Sequence, residues 1–86
     1  MPITREDLIR HCVDRCGLDA ESIDDRTLLF TSGLLDSFNL LTLVDLVERE
    51  IGDKLRISEI TLDNFDSIER ILRLLDSRRV LGPENG

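Results

Sequence analysis

Few side chains in this 86-residue chain can make or break covalent bonds: a single histidine, His11, two cysteines, Cys12 and Cys16, and several serines. Ser37 differs from the other serines in position. It follows Asp36 and leads into the apolar-periodic stretch 38–51. At the first turn of a helix the backbone amides lack intrahelical partners and the helix dipole is positive, so an anion bonded to Ser37 is stabilised there. A phosphodiester on the Ser37 oxygen fits those electrostatics without help from another residue. The plainer account is that Asp36 caps a helix and Ser37 is an ordinary exposed first-turn residue. The dipeptide alone favours that account.

A hydrolytic serine needs a general base within hydrogen-bond reach, usually histidine. The periodicity puts His11 on the polar side of the first helix, beside acids, and no Gly-x-Ser-x-Gly elbow surrounds Ser37. The cysteines lie four apart on that helix and share a stripe with Leu8, Ile9 and Val13. This spacing reads as a buried face with reduced thiols, since a metal would need further ligands and His11 points to the other side.

Positioning these groups requires helices. Thr4 can cap Asp7, with Ile3 and Leu8 in the staple positions and Gly17 as the left-handed stop, which predicts a helix over 4–16. A polar stretch from Leu18 to about Leu35 reads as a long loop, anchored by Leu28-Leu29-Phe30 and turning at Thr31-Ser32-Gly33. Asp36 then caps a helix over 37–51, whose stripe is Leu40, Leu41, Leu43, Val44, Val47 and Ile51, ended by Gly52. A short helix capped by Thr61 is expected near 61–65. Asp66, with Glu69 at N3, is expected to cap the last helix, whose core face is Ile68, Ile71, Leu72 and Leu75. The expected architecture is all-α: a small bundle of three main helices and one short one, with a long first loop. The domain occupies 1–80, and 81–86 reads as a flexible tail.

One core of this size leaves little room for a deep, water-excluding active site. The net charge of −7 argues against nucleic-acid binding and suits partners with a basic docking patch. Acids dominate 6–25, whereas the last helix carries Arg70, Arg73, Arg78 and Arg79, expected to form a solvated face. With no Trp or Tyr and three Phe, stacking of bases or sugars is not available. No apolar run approaches the roughly 20 residues of a membrane span, and the first residues lack a basic start and apolar stretch. A cytoplasmic, monomeric protein is expected.

The segment Gly33-Leu34-Leu35-Asp36-Ser37-Phe38 resembles the attachment site of acyl and peptidyl carrier proteins, whose Asp-Ser-Leu core carries 4'-phosphopantetheine. The likeness runs from about residue 4 to 78 through the helix, long loop, helix, short helix, helix order. Within that family the chain is most similar to aminoacyl carriers of the D-alanyl type. The resemblance rests on Ile51-Gly52-Asp53-Lys54, Ile57-Ser58-Glu59 and Asn64-Phe65-Asp66-Ser67. It departs from fatty-acid carriers at Asn39 and Thr42, which are neutral where those proteins often place acids.

The resemblance implies a four-helix bundle of acyl-carrier type with no catalytic activity of its own. Ser37 takes the arm from coenzyme A, delivered by a phosphopantetheinyl transferase, and Asp36 caps the helix and presents Ser37. Leu35, Phe38 and Leu40 flank the arm as partner contacts, and residues near 57–62 line the far side of a cleft. An adenylate-forming amino-acid or acyl ligase loads the arm as a thioester, and a downstream transferase unloads it. The chain is expected to be free-standing. The alternatives are a fatty-acid or polyketide acyl carrier and an unmodified helical interaction domain.

Overall fold

The computed structural model describes residues 3–84, with side chains through residue 78. Four helices follow one another: α1 (Arg5–Cys16), α2 (Ser37–Ile51), α3 (Leu62–Phe65) and α4 (Ile68–Glu84). Helices α1, α2 and α4 pack pairwise, and α3 lies against α4. Among the described residues there is no strand.

Both long N-terminal helices begin and end as their sequences dictate. At α1, the Thr4 hydroxyl accepts from the Asp7 amide at 3.2 Å, and the Asp7 carboxylate accepts from the Thr4 amide at 2.9 Å. At α2, the Asp36 carboxylate accepts from the Asn39 amide at 3.0 Å, and Asn39 Oδ1 accepts from the Asp36 amide at 3.1 Å. Each box satisfies two amides that would otherwise lack partners. Gly17 and Gly52 close the two helices at φ 75° and 71°, left-handed values that cost a side chain about 1 kcal/mol or more.

The core gathers Leu8 and Cys12 from α1, Leu43, Val44 and Val47 from α2, Phe65 from α3, and Ile68, Ile71, Leu74 and Leu75 from α4. Leu29 and Leu35 complete it from the loop between α1 and α2. Cys12 and Cys16 are free thiols, and burial pushes Cys12 up to about 11, so it packs as a small apolar group.

Several expectations are corrected. The long loop holds a single 3₁₀ turn, Ala20–Ser22, and a second such turn spans Ile57–Glu59. Thr61 sits at the start of α3 but its side chain makes no capping bond. Asp66 does not cap α4: it ends α3 with helical dihedrals, and Ser67 Oγ accepts from the Arg70 amide instead. Leu41, expected in the stripe of α2, is 65% exposed. His11 is not on a solvated face; it turns toward α2. Arg78 is not part of a solvated basic face, because it pairs with Glu59 and Asp53 and straps the 52–60 segment to α4. Helix α4 continues to Glu84, into the stretch read as tail; residues 85–86 lie outside the described region.

Candidate functional site

Ser37 is the first residue of α2, and its side chain is exposed. Of the first four amides of the helix, that of Asn39 goes to the Asp36 carboxylate and that of Leu40 to the Asp36 carbonyl at 3.0 Å. The amides of Ser37 and Phe38 therefore remain without an intrahelical partner. Two unpaired donors, the positive end of a 15-residue helix and an open serine hydroxyl meet at one point.

The approach to this point is rigid for a definable reason. The Asp66 carboxylate, buried at the α3–α4 junction, accepts from the Phe30 amide at 2.7 Å, the Thr31 amide at 3.0 Å and the Thr31 hydroxyl. The Asp66 carbonyl accepts from the Leu29 amide at 2.7 Å, and the Leu29 carbonyl accepts from the Leu35 amide at 2.8 Å. The Glu69 amide, meanwhile, donates to the Asp25 carbonyl at 3.0 Å. The loop is thus stitched to the α3–α4 junction up to the residue before Asp36. Gly33, at φ 88°, makes the turn within this stretch that residues with a Cβ rarely adopt. Burial alone would raise the Asp66 carboxyl, but the bonds from Thr31 and Phe30, with Arg70 nearby, hold it below the usual range.

Around Ser37 lie exposed apolar side chains: Leu34, Phe38 and Leu41. Of the expected partner contacts, only Phe38 is well exposed, at 69%. Leu35 is a core residue at 4% exposure, and Leu40 is half-buried against the core. Neither offers an open surface. Leu41 is exposed instead, and at i+4 from Ser37 it shares that residue's face of the helix. Its exposure is legible in the sequence only once Leu43, Val44 and Val47 are taken to define the buried arc. Across the molecule, Ile57 and Leu62 are exposed and Ile60 is half-buried.

The single histidine does not face Ser37. His11 Nε2 lies 3.0 Å from the Thr42 hydroxyl, which itself donates to the Asn39 carbonyl at 2.7 Å. The hydroxyl's only hydrogen being used, His11 Nε2 is the donor to it and the tautomer follows. Burial, reinforced by Arg15, lowers the His11 pKa and keeps the ring neutral. Cys16 lies beside Asn39 and Thr42; burial pushes its thiol up, away from thiolate character. Among the described residues no cluster of three or more His, Cys, Asp or Glu side chains is placed to hold a metal ion, and no helix is long and apolar enough to cross a membrane. Compared with known proteins, the chain matches no family model, no curated protein and no solved structure.

Proposed function

We propose that the chain is a carrier protein of the acyl-carrier type, bearing 4'-phosphopantetheine on Ser37 and shuttling an amino acid or small acyl group between partner enzymes. One observation carries this reading: an exposed serine stands at the capped start of the longest loop-fed helix, with two unpaired amides beside it and apolar side chains around it. The donor set fits the group. Ser37 supplies the oxygen, the Ser37 and Phe38 amides can receive phosphate oxygens, and Asp36 keeps its carboxylate turned into its own helix.

In the attachment step the Ser37 oxygen forms a bond to the phosphorus of the arm in coenzyme A. The P–O bond to adenosine 3',5'-bisphosphate breaks, that group leaves with the electron pair, and the hydroxyl proton passes to a base of the transferase. The chain's single histidine does not serve, since His11 is engaged with Thr42. The bound arm supplies a thiol for thioester formation, while ligase and transferase chemistry belongs to the partners. Asp36 and Asn39 hold the first turn open, and Leu34, Phe38 and Leu41 present an apolar rim to a partner. Asn39 and Thr42, both neutral, are used internally, in the capping box and under His11. Tethering raises the cargo's effective concentration at each partner.

The decisive test is intact mass before and after incubation with coenzyme A and a broad-specificity phosphopantetheinyl transferase. A gain of one phosphopantetheine group, lost in Ser37→Ala, is expected. No gain in a folded, unmodified protein would leave the exposed apolar rim as an unmodified interaction surface.

A further inference from the structure

Helices α1 and α2 leave between them a groove of about 350 Å³, walled by His11 and Arg15 on one side and by Leu41, Thr42, Asp45 and Arg49 on the other. The groove starts at Leu41, one helical turn beyond Ser37. Its middle, near Thr42 and Asp45, lies about 10 Å along the helix axis from Ser37 and roughly a third of a turn around it. The path over the helix surface past Phe38 and Leu41 is therefore about 15 Å. A pantetheine chain has the reach of about five extended residues, ~17 Å. The arm is therefore long enough to bring an acyl group at its end to this groove.

The charges there are unequal. Arg49 is paired with Asp45 at 2.9 Å. Arg15 makes no ion pair among the described residues, in a protein of net charge −7. Beside it His11 uses Nε2 on Thr42, leaving Nδ1 without a hydrogen bond among the described residues. Arg15 on the same helix, and Asp45 and Arg49 across the groove, are the charged groups that line the groove with it. A neutral acyl chain gains nothing from the guanidinium. A carboxylate gains a charge-assisted hydrogen bond from Arg15 and favours a proton on His11 Nδ1.

We infer that the α1–α2 groove is a cargo site in which Arg15 and His11 receive a free carboxylate remote from the thioester, so that the chain carries a dicarboxylic or otherwise acid-bearing acyl group. The inference rests on the carrier reading and adds to it the chemical class of the cargo. It also places the cargo on the α1 side of α2, away from Ile57 and Leu62.

The test uses the transferase to load the full chain directly from succinyl-coenzyme A or butyryl-coenzyme A, acyl groups of equal chain length that differ in the carboxylate. Intact mass verifies each product, and the His11 ring is then titrated by NMR. In the succinyl form the His11 midpoint is expected to rise by about one pH unit over the butyryl form, and Arg15→Gln to remove most of the difference. Equal midpoints in two verified loaded forms would overturn the cargo assignment and leave the carrier intact. A rise that survives Arg15→Gln would overturn the role of Arg15. Absence of any mass gain would instead remove the carrier reading, and the cargo site with it.

Discussion

At the head of α2 the dipeptide Asp36-Ser37 stands in solvent, with the carboxylate on the Asn39 amide and the serine open. At the head of α4 the same dipeptide, Asp66-Ser67, is buried, both residues at 2% exposure. Asp36 has the extended backbone of a cap, φ −114° and ψ −174°, because a loop delivers it. Asp66 has φ −77° and ψ −2°, because α3 ends on it and holds it in the helical region. A cap needs extended dihedrals, so the role passes one residue on, to Ser67. That shift turns the second serine inward and frees the second carboxylate to bind the loop that feeds the first. One pair presents a hydroxyl. The other holds the presenting loop in place.

The largest expected difference between the pairs is chemical. Ser37→Ala should abolish the transferase-dependent mass gain, whereas Ser67→Ala should retain it, since Ser67 has no surface to modify. Loss in both would mean that the two ends of the fold are not distinct in function.

The next difference reverses the order. Asp66→Ala leaves the Phe30 and Thr31 amides unpaired and should cost about 2–4 kcal/mol in urea unfolding. Asp36→Ala removes one exposed cap and should cost about 1 kcal/mol, while slowing modification more than its effect on folding explains. Equal destabilisation by the two substitutions would dissolve the contrast.

Acid should act through the buried pair as well. The Asp66 carboxyl is held below its ordinary 3.8, so its contribution is fully present above that value and is lost as the pH falls through the folded value. Unfolding midpoints measured down from pH 5 should therefore fall below about pH 4 more steeply in the parent than in Asp66→Asn. His11 gives a smaller step at higher pH. Its folded pKa lies below 6.5, so the unfolded chain binds the extra proton and stability declines as the pH drops through 6.5. His11→Gln should flatten that region.

The smallest effect lies on the rim. Leu41→Ser should change stability by no more than about 0.5 kcal/mol because the side chain is exposed. It should still weaken association with a transferase, measured as a raised KM at unchanged kcat. Leu35→Ala sharpens the comparison, since this core side chain should cost about 2–5 kcal/mol.

Much of the scaffold was legible in the chain. The caps at Thr4 and Asp36 and the stops at Gly17 and Gly52 are local hydrogen-bond and dihedral requirements, so residue types within four positions suffice to place α1 and α2. The loop anchor at Leu29 was legible from an apolar trio in a polar stretch, although Leu28 remains partly exposed. Less legible were the roles of Asp66, Leu35, Leu41 and His11. Each depends on a partner more than 20 residues away or on which arc of a broad apolar stripe meets α4.

The sequence by itself determined where the helices start, which serine heads the most apolar of them, and the excess of acid over base, because these follow from composition and nearest neighbours along the chain. Only the tertiary structure decided which Asp-Ser pair faces water, that His11 and Arg15 meet α2 across a groove, and that Leu41 rather than Leu40 or Leu35 borders Ser37. Those outcomes depend on how helices and loops settle against one another to bury their widest apolar arcs; rolling α2 by one residue position, about 100°, would by itself exchange Leu40 and Leu41.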